Sequence, residues 1–240
     1  MRLLLSLVAL LLATLAIFAL WPQIDLDAAR NFYGASGFSH TRLEGGLRAV
    51  FNITPFIVLA VFLGLYGLRR FGCAVAYAPS GLQVAFLVAT MAIGPGLIVN
   101  LVLKDHSHRP RPMHTQDFGG VAEFRPWYRF DGDCLTNCSF VSGEGSEAFW
   151  MVAPASLAPP PLRAFAVAGA LLFGALASLL RMATGGHYLS DVLLAALITL
   201  SVLRVAWLLF FRASAIPDGV ARRATLPIVA RPSPSPDPSP

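Results

Sequence analysis

Six apolar runs dominate this chain, and their length decides what it can fold into. Leu3 to Trp21, about Ala49 to Leu68, Gly81 to Leu103, Leu162 to Leu180 and Ser190 to Phe211 are each long and almost free of charge. Crossing the hydrocarbon core of a bilayer as a helix takes roughly 20 such residues. A shorter run, Glu144 to Ala158, begins with polar residues and is closed by Pro159-Pro160-Pro161. Hydrophobic residues make up 56% of the chain and charged residues only 13%, against about a quarter in an ordinary soluble domain. The expectation is an all-α polytopic membrane protein, a bundle of about six transmembrane helices forming one domain over residues 1–215.

The first run could be a signal peptide, but it is long and ends in Trp21-Pro22 rather than at a small-residue cleavage site, which favours a retained helix,. Gln23 to Arg48 is polar and aromatic, with Gly34, Gly37, Gly45 and Gly46, and reads as an external loop with a surface helix. Gly94-Pro95-Gly96 falls inside the third run, where neighbouring helices must cover the backbone groups that a kink frees. Residues 216–240 lose apolar content and finish in alternating proline and serine, the composition of a disordered tail,.

The formal charge is +5, from 18 basic and 13 acidic side chains. Nucleic-acid binding would require a polar basic patch interleaved with aromatics. The arginines sit instead at the ends of apolar runs or inside one polar loop. With the N-terminus cytoplasmic, six spans place Arg2, Arg69, Arg70, Arg163, Arg212, Arg222 and Arg223 on the inner side, as the positive-inside bias demands. All five histidines, the polar loop 104–142 and the stretch Arg181 to Leu189 then share the outer, periplasmic face of a bacterial inner membrane.

Three polar clusters lie at the outer ends of spans, where ionisable residues are functional candidates by default. The first starts at Lys104, the only lysine in the chain, and runs through Asp105-His106-Ser107-His108-Arg109-Pro110-Arg111-Pro112. The second is Ser142-Gly143-Glu144. The third is Arg181, His187 and Asp191. A spacing of four stacks His187 and Asp191 on one helical face, so the carboxylate could hold the Nδ1 proton and leave Nε2 free as a nucleophile. An alternative is that Asp191 only caps a helix. Lys104, Arg111 and Arg181 would supply a point charge and forked donors to a phosphoryl group, and Ser142-Gly143 would add a hydroxyl and helix-start N–H groups.

Taken together, Lys104-x6-Arg111-Pro112, Ser142-Gly143 and Arg181-x5-His187-x3-Asp191 resemble the three-part signature of the type-2 phosphatidic acid phosphatase superfamily, shared with vanadium haloperoxidases. The resemblance implies a lipid phosphatase in which His187 attacks phosphorus, Asp191 orients it, and Lys104, Arg111, Ser142, Gly143 and Arg181 bind phosphate. It implies no metal and no cofactor. Asn137 to Glu144 also looks like a subgroup associated with lipid A dephosphorylation; isoprenoid diphosphate, phosphatidylglycerophosphate and phosphatidic acid are the other candidate substrates. The chain departs from the pattern at Glu144, where a general-acid histidine is usual, and at Leu180, where serine commonly precedes the arginine. Glu144 is expected to be the acid if burial raises its pKa, or a partner of the basic cluster if Lys104 or Arg111 lowers it. A phosphotransferase using the same histidine, a vanadate-dependent oxidase and a non-catalytic transporter or scaffold are the rival readings.

His106, His108 and His114 have no convincing acidic or thiol companions for a metal site. Cys134 and Cys138, four apart in the outer loop, are a candidate disulfide in an oxidising periplasm, and Cys73 is expected to be a free thiol.

Overall fold

A computed structural model describes residues 1–75 and 77–212; the tail expected over 216–240 lies outside the described residues. The main helices are α1 (Arg2–Leu20), α2 (Gln23–Arg30), α3 (Arg42–Arg70), α4 (Gly81–Met91), α5 (Gly143–Trp150), α6 (Val152–Ser156), α7 (Pro160–Ala183) and α8 (Leu189–Trp207). Among the described residues, five helical stretches are long and apolar enough to cross a membrane: Arg2–Leu20, Arg42–Arg70, Gly81–Lys104, Pro160–Ala183 and Leu189–Phe211. The sixth expected span, Glu144 to Ala158, forms as the pair α5 and α6, shorter than a membrane-crossing helix, broken at Met151 and buried within the bundle. It runs from the end that holds Ser142 to the core around Leu157. Pro154, which has no N–H to donate to the Trp150 carbonyl and whose ring crowds it, accounts for the break,.

Local signals set the helix starts. Thr41 opens α3 with a reciprocal capping box in which its hydroxyl accepts the Glu44 N–H and the Glu44 carboxylate accepts the Thr41 N–H,. That cap begins α3 seven residues earlier than apolarity alone suggests, and it puts Arg48 on a helix rather than in a loop. Ser80 and Gln83 form the same device at α4. Beyond Met91 the helix widens to a π-helical winding over Ala92–Lys104, with Pro95 buried inside it. The looser turn is how the chain passes Gly94-Pro95-Gly96 without breaking.

Packing holds α1 as part of the bundle. Leu11 and Leu15 pack against a core of Val99, Phe140, Val141, Leu194 and Ala195, and the Trp127 indole donates to the Leu15 carbonyl at 3.1 Å. A second core of Phe86, Leu87, Met91, Trp150, Ala153, Leu157 and Leu203 fills the half away from the polar clusters. Apolar burial distinguishes the bundle interior little from lipid, so polar pairs and small residues matter between helices. Ser146 and Thr199 pair their hydroxyls at 2.6 Å between α5 and α8, and Trp150 donates to Thr90 at 3.0 Å between α5 and α4.

The connection 105–142 folds down over the bundle end as two short 3-10 turns, Pro112–His114 and Gln116–Phe118, followed by irregular chain. It is sewn to its surroundings by Met113 N–H to Gly185 carbonyl at 3.1 Å and Ser139 N–H to Arg109 carbonyl at 2.8 Å. Two strand-like pairs, Tyr33–Gly34 and Gly37–Phe38, carry Phe38 into a cluster with Phe118 and Tyr188 beneath this cover. Cys134 and Cys138 are joined in a disulfide with Cα atoms 5.7 Å apart, and Cys73 is free and exposed.

Candidate active site

The three polar clusters converge at one end of the bundle. Ser142 ends the covering loop and caps α5, its hydroxyl accepting the Gly145 N–H at 3.1 Å. Its own N–H donates to the Asp191 carbonyl at 3.2 Å, which ties the second cluster to the third. Gly143 opens the helix so close to the π-helical winding Ala92–Lys104 that a Cβ there would lie 2.3 Å from Asn100 Oδ1 and 3.4 Å from Lys104 Nζ. A side chain at 143 would therefore collide with Asn100 at the start of α5, where the first N–H groups have no partner within the helix,.

Arg181, on the last turn of α7, is 5% exposed. Its guanidinium lies across Gly186, where a Cβ would come 2.3 Å from Nη2. Nη1 donates to Thr184 at 3.3 Å, and Nε faces the Glu144 carboxylate at 3.5 Å. Arg111 donates from Nε and Nη2 to the Asn137 carbonyl at 3.2 and 2.8 Å. Arg48, Arg111, Arg181 and Thr184 line one cavity of about 280 Å³, with His40 and Thr41 at its wall. Lys104 reaches the region from the other side, lining a cleft of about 520 Å³ with Asn100 and Asn137.

His187 is 2% exposed and sits on the turn between α7 and α8. Its Nδ1 lies 2.7 Å from the Ser139 carbonyl and 3.7 Å from Asp191 Oδ2. The nearest acceptor of an Nδ1 proton is thus a backbone carbonyl rather than the expected carboxylate. Either acceptor leaves Nε2 unprotonated with its lone pair free. Burial pushes the imidazole pKa down to about 4; Asp191 acts to raise it, and the Arg181 and Arg111 charges lower it further. The ring is therefore neutral at physiological pH, the form a nucleophile needs.

Asp191 takes the capping role, one of the two readings the sequence left open, and stands beside the ring as a charge. Oδ2 accepts the Tyr188 N–H at 2.9 Å, capping α8, and also the Ser139 hydroxyl. Oδ1 accepts from Arg109 Nη1 at 2.6 Å.

Glu144 is held by Arg48, whose Nε and Nη2 approach both carboxylate oxygens at 2.6 to 3.1 Å. A forked guanidinium with a second one nearby stabilises the ionised carboxylate. Arg48, Arg109, Asp25 and Ser139 were not singled out in the sequence, because each reaches the site through tertiary structure. Arg109 carried a signal, two places before Arg111 in the first cluster. Of the loop histidines, His106 and His108 each turn Nδ1 to a backbone carbonyl, of Val102 and Cys134, at 2.9 Å.

Comparison with known proteins agrees with this geometry. Residues 83–215 match the family model of the PAP2 superfamily. A lipid A 4'-phosphatase of Rhizobium leguminosarum is 34% identical over 206 residues, covering 79% of this chain and 88% of that protein. A lipid A 4'-phosphatase of Francisella tularensis subsp. novicida is 31% identical over 204 residues, covering 81% and 90%. The crystal structure of a transmembrane PAP2 type phosphatidylglycerolphosphate phosphatase from Bacillus subtilis shares the fold at a TM-score of 0.59 and 15% identity, over 90% of this chain and 100% of that one. With a basic cradle at the ends of its apolar helices, the chain is a multi-pass membrane phosphatase and belongs to the PAP2 superfamily.

Proposed function

We propose that this protein removes the 4'-phosphate of a lipid A-type glycolipid at the periplasmic face of an inner membrane. The observation that carries the reaction is a buried, neutral His187 whose Nδ1 is bonded to a carbonyl, set beside Arg181 and Arg111. The substrate assignment rests on relatives named lipid A 4'-phosphatase that cover most of this chain.

In the first step the Nε2 lone pair attacks phosphorus and the bond to the sugar oxygen breaks. Arg111, Arg181 and Lys104 take the charge of the equatorial oxygens, with Ser142 and the Gly143 N–H closing the cradle. The ring gains positive charge as the N–P bond forms, and Asp191 at 3.7 Å offsets it. Water then attacks phosphorus, the N–P bond breaks, and inorganic phosphate leaves with the imidazole restored. The sugar oxygen needs a proton on leaving. Glu144, gripped by Arg48, is a poor donor and acts instead as an anionic anchor for Arg48 and Arg181; water or the Lys104 ammonium is the remaining source.

The charge pattern supports this facing. The helix ends opposite the site carry Arg2, Arg69, Arg70, Arg163 and Arg212, which orients that end to the cytoplasm, and the Cys134–Cys138 disulfide suits an oxidising compartment at the other.

The test is phosphate release by purified protein from a panel of lipid A, phosphatidic acid, phosphatidylglycerophosphate and an isoprenoid diphosphate, each with a His187→Ala control. Preferential release from lipid A at the 4' position is expected. Preference for a glycerolipid would overturn the substrate, and transfer of labelled phosphate to an added lipid in place of release would favour the phosphotransferase reading.

A further inference from the structure

Below the histidine lies a closed polar network that the phosphate-binding signature does not include. Arg109 is fully buried and uses all its nitrogens: Nε donates to the Arg125 carbonyl at 2.8 Å, Nη1 to Ser190 Oγ at 2.8 Å and Asp191 at 2.6 Å, and Nη2 to Asp25 at 2.7 Å. Its guanidinium also lies over the Tyr188 ring, 4.3 Å from the centroid. Asp25, in the first turn of α2, is 1% exposed. Its Oδ1 accepts the Ser190 N–H at 2.8 Å, and Oδ2 accepts the Ser190 hydroxyl at 2.6 Å as well as Arg109.

The Asp25 carboxyl is raised above its ordinary range, by burial first and also by the neighbouring Asp191 charge, while the Arg109 charge and the Ser190 hydrogen bonds oppose the shift. The ion pair with Arg109 at 2.7 Å is the geometry that holds it as the anion. Three donors meet its two oxygens, an arrangement that suits the ionised form. Two carboxylates and one guanidinium then leave the network with one net negative charge. Without Asp25, Arg109 would pair with Asp191 alone and cancel the charge that faces His187. The second carboxylate shares the guanidinium, at 2.7 Å against 2.6 Å for Asp191, and so leaves Asp191 a net field toward the ring.

We propose that Asp25 and Arg109 are positioning residues for the reaction, acting through Asp191: Asp25, carried by the segment after the first membrane helix, balances Arg109 so that the Asp191 carboxylate stays fixed and effectively anionic beside His187. Neither residue touches the phosphate. Their effect falls on the step that puts positive charge on the imidazole, and hence on kcat rather than on substrate binding. The proposal rests on the reading of His187 as nucleophile.

The test is a double-mutant cycle of Asp25→Asn and Asp191→Asn in the full chain, with His187→Ala measured alongside and folding checked by thermal melting. Asp25→Asn in the native background is expected to lower kcat on the order of tenfold, within the range of coupling between contacting residues, and to leave KM within about twofold. On the Asp191→Asn background the same change is expected to cost less than about twofold. Equal losses in both backgrounds, or a loss seen only in KM, would overturn the proposal, since a purely structural defect does not depend on Asp191. If Asp25→Asn does not accumulate as folded protein, Ser190→Ala, which removes the hydroxyl joining Asp25 to Arg109, is put through the same cycle with the same criteria. An active His187→Ala would defeat the nucleophile reading itself; an inactive one together with an additive cycle would defeat only the role of Asp25 and Arg109.

Discussion

The Nδ1 atom of His187 points at the backbone carbonyl of Ser139 from 2.7 Å. A carbonyl cannot be mutated away and cannot titrate, so the tautomer that exposes Nε2 is set by the path of the covering loop. Asp191, one ångström farther from the ring, contributes its charge and the anchoring of that loop through the Ser139 hydroxyl.

Asp191→Asn should therefore be milder than the corresponding change in a triad where the carboxylate alone fixes the tautomer, which costs about 10⁴-fold. A loss of roughly 10- to 100-fold in kcat is expected. Steady-state kinetics decide, and a loss as large as that of His187→Ala would return the proton-holding role to Asp191.

Glu144→Gln removes the anion that Arg48 and Arg181 share. If Glu144 is an anchor, cleavage of a phosphomonoester and of a diphosphate should fall by similar factors, because both need Arg181 in place. Parallel assays on the two substrates give the answer; a loss confined to the monoester, whose leaving group alone needs an acid, would restore the acid role.

Gly186→Ala puts a methyl group where Arg181 Nη2 lies. Loss of one charged hydrogen-bonding partner is worth about 1.5–3 kcal/mol, so kcat/KM should drop roughly 10- to 100-fold. Normal kinetics with a folded protein would mean that Arg181 binds phosphate from another position.

The pH profile follows from the lowered imidazole pKa. A histidine at about 4 keeps its free lone pair down to that pH and loses it only below. The acidic limb of kcat/KM should accordingly lie near pH 4 and not near the ordinary value of about 6.5. A limb centred near 6.5, in protein shown to be folded there, would mean that the ring is solvated or more strongly paired with Asp191.

Much of this was legible in the sequence. Length and apolarity located the five long helices because a bilayer imposes its thickness on the chain, and the spacings around Lys104, Ser142 and His187 singled out three clusters that meet at one end of the bundle because those residues sit at helix ends. The segment expected as the sixth span forms as a short pair, interrupted near Pro154 and shielded inside the bundle, a shape that an apolar run does not reveal. The α3 start was placed late because apolarity is silent about a capping box, and Arg48 was missed with it. Asp25 and Arg109 meet across 84 residues, a distance that no local pattern encodes.

The central claim is covalent: phosphorus passes through His187. Purified protein mixed briefly with substrate labelled in its phosphate and quenched in alkali should carry label on the peptide that contains His187. The bond should survive base and fail in acid, as a phosphorus–nitrogen bond does, and His187→Ala should show neither label nor turnover. An unlabelled native protein together with a His187→Ala variant that keeps more than about a hundredth of the activity, far above the residue left by nucleophile deletions, would contradict the account.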